Sequence, residues 1–176
     1  ERAIDFLEHN LRADNWNLHL ECFDPHEPFS CPKKYRDMYD DTWNEFHFDW
    51  PDYAPVEQDE AAVEHIRKCY AGTLTMADVW LGKLLDKMDE LDAWKNTTLI
   101  LTTDHGHLLG EHGYWAKNYM FDFKELVHIP MIAVTPNQDT GRRKGLTTTI
   151  DLMPTFMDLH QGELPPHVHG ESIRHL

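Results

Sequence analysis

The chain has no run approaching about 20 apolar residues, the length that a membrane-spanning helix needs, so we expect no membrane association. Positive charge is also scarce. The sequence holds 16 Lys and Arg residues against 31 Asp and Glu residues, and its net charge is −15. A surface this poor in basic residues does not neutralise nucleic-acid phosphates, which excludes a nucleic-acid partner.

Several catalytic signatures are missing as well. The sequence contains no nucleophile elbow, no P-loop and no Rossmann glycine pattern. Its three cysteines, Cys22, Cys31 and Cys69, form no CxxC pair and no zinc-ligand spacing. An odd cysteine count gives no disulfide framework. No signal peptide opens the chain, but its first residues already follow an amphipathic pattern, so we expect a fragment of a longer protein.

Length and composition indicate a folded protein. The 176 residues are enough for about one domain with a real core, and 41% of them are hydrophobic. We predict a single partial domain over residues 1–176, without internal repeats. Apolar residues recur at helical spacing in three segments, which predicts helices over 1–11, from about 59 to 91, and over 151–159.

Strands are predicted between these helices. Residues 16–23 alternate apolar and polar side chains, while 98–103 and 129–134 are β-branched and aliphatic runs typical of buried strands. Strands that alternate with helices predict an α/β layered sandwich with a mostly parallel sheet.

Residues 30–58 are rich in Tyr, Trp, Asp and Pro without a sustained period, and we predict a long surface excursion there. Its aromatic part, residues 39–53, has two interpretations. It lines a carbohydrate subsite by stacking against sugar rings, or it is a surface loop anchored by a few buried rings.

Chemistry is concentrated where the strand at 98–103 ends, at Asp104, His105 and Gly106. In open α/β sheets, ligands bind just beyond the carboxyl ends of the strands. A carboxylate and an imidazole both ligate divalent cations, and Gly106 lets the backbone turn sharply. The alternative is a local role, with Asp104 capping the next turn.

Two further residues are candidates for binding an oxyanion. His26 lies in a rigid Pro-His-Glu-Pro loop, where it either is a plain loop histidine or binds an anion and protonates a leaving group. Lys117, which follows an aromatic pair thirteen residues after Asp104, is either solvated or a fixed positive charge for the same anion.

These segments together resemble the sulfatase family of the alkaline-phosphatase-like superfamily. The matching segments, in order, are FDPHEPF at 23–29, the long segment 82–106 ending in TTDHG, GEHGYWAK at 110–117, IPMIAV at 129–134, TTTIDLMPTFMDL at 147–159 and HGESI at 169–173. The resemblance implies an incomplete alkaline-phosphatase-like domain. It also implies that the chain is the C-terminal part of a sulfatase catalytic domain.

The resemblance implies roles for five residues. Asp104 and His105 would ligate the active-site cation, and His26 and Lys117 would bind the sulfate group and carry the catalytic proton and charge. His112, in the same motif as Lys117, would orient the loop or contact the substrate.

The cation is calcium in the family. An asparagine stands at the place of His105 in many sulfatases, and an imidazole ligand favours manganese, zinc or iron. Histidine there also occurs in relatives that hydrolyse phosphonate or phosphate esters. A phosphonate monoester or phosphodiester hydrolase is therefore the alternative activity.

The formylglycine motif of the family is missing from these residues. Cys31 is followed by Pro-Lys-Lys rather than by the required serine and arginine. We expect the nucleophile in upstream sequence and no turnover from the 176 residues alone. We also expect that the segment self-associates through exposed edges or that the true molecule is longer. The expected substrate of the longer protein is a small-molecule or saccharide sulfate ester.

Overall fold

A computed structural model describes residues 1–39, 41–117 and 121–175. Within these residues the helices are α1 (Arg2–Asn10), α2 (Lys33–Arg36), α3 (Glu60–Glu90), α4 (Lys124–Val127) and α5 (Leu152–Leu159). The strands are β1 (Leu99–Thr102), β2 (Leu108–Leu109), β3 (Trp115–Ala116) and β4 (Met131–Val134). The predicted helices are confirmed as α1, α3 and α5.

The chain folds into two compact units. The first comprises Glu1–Arg12 and Leu18–Pro136, and the second comprises Ala13–Asn17 and the chain from Asn137 onward. All five candidate site residues lie in the first unit. No helix in the described ranges is long and apolar enough to cross a membrane.

Helix α3 is the longest element of the first unit. Its first turn is capped by Asp59, whose carboxylate accepts a hydrogen bond from the Ala62 backbone N–H at 2.9 Å. Its buried face carries Ile66 into a core cluster. The other members of this cluster are Phe29, Cys69, Trp115 and Ala116. The core thus joins α3 to the two segments that carry His26 and Lys117.

The sheet differs from the prediction. Strands β1 and β4 pair antiparallel, from Leu99 opposite Val134 to Thr102 opposite Met131. Strands β2 and β3 form a second antiparallel pair. The predicted strands at 98–103 and 129–134 therefore exist, but the mostly parallel sheet is not confirmed, since both described ladders are antiparallel two-stranded ribbons.

The predicted strand at 16–23 is wrong. These residues form no helix or strand, and Leu20 and Phe23 are exposed. Alternation of apolar and polar residues suits a strand only where a neighbouring strand supplies hydrogen bonds and a core covers one face. The structure provides neither for this segment.

The excursion at 30–58 is largely irregular, as expected, but it is tied to the rest of the first unit. The Trp115 N–H donates to the Ala54 carbonyl at 2.9 Å, and the Val56 N–H donates to the Gly113 carbonyl at 2.8 Å. These bonds fasten the end of the excursion to the loop that leads into β3. The excursion therefore helps to position Lys117.

The second unit is organised around the buried carboxylate of Asp151. Its two oxygens accept backbone hydrogen bonds from Thr148 at 2.8 Å and from Glu171 at 3.0 Å. The Thr155 hydroxyl accepts a third bond, from the Ile173 N–H at 3.1 Å. The late segments at 147–159 and 169–173 are therefore held together by polar contacts.

Gly106 is required by a close approach and not by the turn that the sequence suggested. Its φ is not among the positive values found at Gly110, Gly113 and Gly141. A Cβ at position 106 would instead lie 1.8 Å from the Glu125 carbonyl oxygen. The turn after β1 is thus packed directly against the backbone of α4.

We predict that Gly106→Ala lowers the free energy of unfolding by about 2 kcal/mol or more, because backbone must move to admit the methyl group. The matched control is Gly82→Ala in α3, where a Cβ meets nothing within 4 Å. That change should raise the free energy of unfolding by about 0.5–1 kcal/mol. Urea unfolding of both variants measures the difference, and equal stabilities would refute the close approach.

Candidate active site

Asp104 and His105 project from the end of β1, and Asp104 is largely exposed. The His105 Nε2 atom lies 3.2 Å from Asp104 Oδ2, while the His105 backbone N–H donates to Asp104 Oδ1 at 2.8 Å. Burial would raise the pKa of Asp104, but the amide and imidazole of His105 outweigh it and lower that pKa. The carboxylate is therefore charged and available as a ligand.

The donor set of this pair fits a divalent cation. His105 Nδ1 lies 2.8 Å from the Gly106 carbonyl oxygen, which only accepts, so Nδ1 carries a proton, and in the neutral imidazole Nε2 is the nitrogen that ligates a cation. Two atoms that ligate one cation at about 2.0–2.4 Å lie roughly 3 Å apart. The 3.2 Å between His105 Nε2 and Asp104 Oδ2 matches that spacing.

Lys117 and His26 form the second group, brought together from positions 91 residues apart. The Lys117 ammonium lies 2.9 Å from His26 Nε2. His26 Nδ1 lies 2.6 Å from the Glu27 carbonyl oxygen, so Nδ1 donates there and Nε2 accepts from the lysine. Lys117 is only 8% exposed, which is rare for a lysine and excludes the solvated alternative.

The backbone before Lys117 is held in an unusual conformation. Ala116 has a φ of 66°, in the left-handed region that a non-glycine residue seldom adopts. Its side chain is fully buried in the core cluster, which holds that conformation in place. A buried and constrained neighbour fixes the direction in which the lysine leaves β3.

Sequence reasoning missed the residue at the centre of this group, Glu27. It is 1% exposed, and one carboxylate oxygen accepts a hydrogen bond from the Tyr53 hydroxyl and lies 3.8 Å from the Lys117 ammonium. Burial raises the pKa of Glu27, but the Tyr53 hydroxyl, the backbone amide, His107 and Lys117 together bring it below the ordinary value. Glu27 is thus a buried carboxylate anion.

Two more missed residues surround that anion. Burial and the Glu27 carboxylate raise the pKa of Tyr53 to about 12, so its hydroxyl stays a donor. The His107 Nε2 atom lies 3.4 Å from the second carboxylate oxygen of Glu27, and both atoms are buried without a hydrogen-bond partner among the described residues. Burial lowers the pKa of His107.

The sequence does carry a signal for Glu27 and His107. Both lie close to a predicted site residue in the chain. Glu27 directly follows His26, and His107 comes two residues after His105, behind the Asp-His-Gly triplet. A charged residue inside a two-proline loop and an imidazole beside a glycine at a strand end are unusual enough to suggest a buried pair.

His112 belongs to a third group. Its Nε2 atom lies 3.1 Å from the Glu125 carboxylate, and its ring stacks on Phe123 at 4.0 Å between centroids. These contacts fasten the Gly110–Gly113 loop to α4. Within the described residues, no hydrogen bond or ion pair joins His112, the Asp104–His105 pair and the Lys117–His26 pair to one another. The roles assigned to these residues stay predictions.

One more cluster offers metal-ligand atoms, away from the predicted residues. His65 Nδ1 lies 2.8 Å from Asp41 Oδ2, and the Cys69 sulfur lies 3.6 Å from His65 Nε2. Burial and the Asp41 charge raise the pKa of Cys69 to about 12, so this thiol is protonated at neutral pH. The three side chains accordingly form a packed, hydrogen-bonded group.

Comparison with known families decides what these groups belong to. A family model described as Sulfatase matches residues 1–162. The chain belongs to the sulfatase family. The resemblance inferred from its six motifs is confirmed.

Sequence relatives of this sulfatase-family chain include two bacterial proteins. It is 31% identical over 188 residues to the uncharacterized sulfatase YidJ of Escherichia coli (strain K12), covering 98% of this chain and 37% of the relative. It is 27% identical over 210 residues to the multifunctional alkaline phosphatase superfamily protein PehA of Trinickia caryophylli, covering 98% of this chain and 39% of the relative. The sulfatase-family chain thus spans well under half the length of these relatives.

A solved structure supports the fold. The phosphonate monoester hydrolase from Silicibacter pomeroyi superposes on 97% of the sulfatase-family chain and 39% of its own, with a TM-score of 0.78 and 25% sequence identity. The chain is therefore alkaline-phosphatase-like in fold.

The reactivity of the cysteines tests whether Cys69 is buried beside His65. We predict that a thiol-reactive disulfide at pH 8 labels the exposed Cys22 of the native chain and leaves Cys69 unlabelled until unfolding, because the Cys69 thiol is buried and deprotonates only near pH 12. Mass spectrometry of the labelled peptides measures both sites, with Cys22→Ser as the control. Equal labelling rates in the native chain would show that Cys69 is not enclosed.

Proposed function

We propose that this chain forms part of a sulfatase-type hydrolase that cleaves sulfate monoesters. The observation that carries the proposal is the buried Lys117 ammonium bonded to His26, in a chain of the sulfatase family. A lysine that is removed from solvent and held by an imidazole is a preorganised site for an anion. Relatives of the chain support this chemistry, among them an arylsulfatase of Clostridium perfringens (strain 13 / Type A) that is 25% identical.

Each residue of the pair has a role in the proposal. Lys117 offsets the charge that builds on the non-bridging oxygens in the transition state. His26 donates through Nε2 once protonated and stabilises the departing alkoxide. Its Nδ1–H bond to the Glu27 carbonyl keeps the ring oriented during both steps. His112 orients the loop through Glu125, or contacts the substrate.

Asp104 and His105 would hold the divalent cation. A cation held there would supply Lewis-acid polarisation of the ester oxygens. Calcium is the family expectation, while an imidazole ligand such as His105 favours manganese, zinc or iron. The exposure of Asp104 leaves room for further ligands from sequence outside this chain.

The nucleophile is proposed to come from outside these residues, as a formylglycine. None of Cys22, Cys31 and Cys69 lies in the required motif, and the burial of Cys69 makes it unsuitable as a nucleophile. The chain spans 37% of its relative from Escherichia coli (strain K12). The apolar side chains of Leu101, Ile132 and Val134 on the β1–β4 ribbon are exposed, which supports an additional covering segment or self-association.

A phosphonate monoester hydrolase is the second candidate function. It is favoured by the structural similarity to the enzyme from Silicibacter pomeroyi and by His105 in the cation site. For the substrate we propose a small-molecule or saccharide ester. Relatives named for saccharide substrates include an N-acetylglucosamine-6-O-sulfatase of Bacteroides thetaiotaomicron, 29% identical over 60% of this chain. The exposed Phe46 and Trp50 keep the carbohydrate subsite at 39–53 a prediction, and Asp40 of that segment lies outside the described residues.

Replacing Lys117 tests the anion site. In the full-length protein, Lys117→Ala should lower kcat/KM for an aryl sulfate about 10²–10³-fold, because one preorganised charge is lost. Lys95→Ala is the control, since Lys95 is an exposed lysine paired with Asp92. Turnover by Lys117→Ala at the rate of the control would contradict the role proposed for Lys117.

Replacing Asp104 tests the cation site. Asp104→Ala should weaken binding of calcium and manganese in isothermal titration calorimetry of the full-length protein at least about tenfold, because one of the anionic ligands is removed. Asp37→Ala, which removes an exposed carboxylate paired with Lys33, should leave both affinities unchanged. Unchanged affinity in both variants would place the cation elsewhere.

A further inference from the structure

The Glu27 carboxylate presents a chemical puzzle, because a negative charge lies beside the ammonium that is proposed to bind an anion. Its oxygen lies 3.8 Å from the Lys117 ammonium, and the side chain is fully shielded from water. An opposite charge at this distance offsets part of the field that Lys117 presents to a ligand. A purely electropositive pocket would not contain such a residue.

The surroundings of Glu27 keep its charge in place. Tyr53 donates a hydrogen bond to one oxygen, and the His26 ring lies 3.4 Å from the other. The Phe29 side chain, two residues on in the chain, is buried in the core cluster. In such a setting, solvent does not screen the repulsion between the carboxylate and a bound anion.

We propose that Glu27 determines specificity by the charge of the substrate: it reduces the advantage that an ester with two negative charges would have at Lys117, and in this way favours esters with one. The inference rests on the proposed function and refines its substrate class. Sulfate monoesters and phosphonate monoesters both carry one negative charge, whereas phosphate monoesters carry two at pH 8. The leading activity and its alternative therefore fall in the favoured class.

The physical reason lies in the second charge. Its attraction to Lys117 is opposed by its repulsion from Glu27, so a dianion gains less over a monoanion than Lys117 alone would give it. Removing the carboxylate charge removes the repulsion from Glu27 and leaves the attraction to Lys117 unopposed. Glu27→Gln should therefore favour dianions selectively, whatever it does to the overall strength of binding.

The test measures dissociation constants of phenyl sulfate and phenyl phosphate by calorimetry at pH 8, in the full-length protein whose formylglycine cysteine is replaced by alanine, so that neither ester is hydrolysed during the titration. Glu27→Gln should shift the ratio of the two affinities toward phenyl phosphate by at least about tenfold. A cation at Asp104 and His105 is common to both proteins and cancels from that ratio. Glu27→Met provides a second uncharged variant that is suited to an apolar environment if the glutamine variant does not fold.

Two controls separate charge from structure. Tyr53→Phe removes the hydrogen bond to Glu27 but not its charge, and Glu27→Asp keeps the charge on a shorter side chain. Both should lower the two affinities together and leave their ratio within about twofold of the wild-type ratio. A purely structural role for Glu27 would not distinguish these variants from Glu27→Gln.

The outcomes are separable. An unchanged affinity ratio in both uncharged variants overturns the role of Glu27, and so does a wild-type protein that binds neither ester. Hydrolysis of 4-nitrophenyl sulfate by the wild-type protein is measured alongside. Its absence, with the affinity ratio shifted as expected, would contradict the proposed sulfatase activity and leave the charge selection by Glu27 supported.

Discussion

A carboxylate that is removed from water must be surrounded by groups that compensate its charge, and the burial of Glu27 imposes this constraint on the candidate anion site. Tyr53 from the excursion donates a hydrogen bond to one oxygen, and the Lys117 ammonium at the end of β3 lies 3.8 Å from the same oxygen. The His107 ring, from the turn after β1, packs 3.4 Å from the other oxygen. Three distant chain segments are therefore fixed relative to His26. The geometry of the site follows from a single buried charge.

Core residues next to the charged residues in the chain hold that arrangement in place. Trp115 and Ala116 are buried against α3, and Phe29 packs in the same cluster. Lys117 directly follows Ala116, and Glu27 lies two residues before Phe29. Core packing therefore sets where the two charges lie. A cavity in the core would displace the site as well as destabilise the unit.

The cation pair contrasts with the anion site. Asp104 and His105 stand at the exposed end of a two-stranded ribbon, and α4 contacts the turn behind them through Gly106. Lys117 of the anion site is enclosed within the described residues, whereas Asp104 of the cation pair is largely open to solvent. This difference agrees with a chain that supplies part of a catalytic domain of the sulfatase family.

The sequence predicted what depends on local pattern. Helix α3, the strand ending at Asp104 and the family motifs were readable because periodicity and spacing record them. The antiparallel pairing of β1 with β4 could not be predicted, since an aliphatic run of this kind fits a parallel strand as well as an antiparallel one. The segment at 16–23 failed because alternation alone supplies no partner strand. Glu27 and His107 were missed because their pairing depends on contact between positions 80 residues apart.

Whether Glu27 is a buried anion is tested most directly by its ionisation. The ¹³C chemical shift of its side-chain carboxyl carbon is measured as a function of pH, and the signal is assigned by its loss in Glu27→Gln. We predict an ionised carboxylate at pH 7 and a titration midpoint below the ordinary 4.5. Because its pKa is lower in the folded chain, the carboxylate stabilises the fold above pH 4.5, and this contribution is lost as the pH falls through the folded-state pKa. A midpoint above 4.5, or a neutral carboxyl at pH 7, would contradict the buried charge on which the site depends.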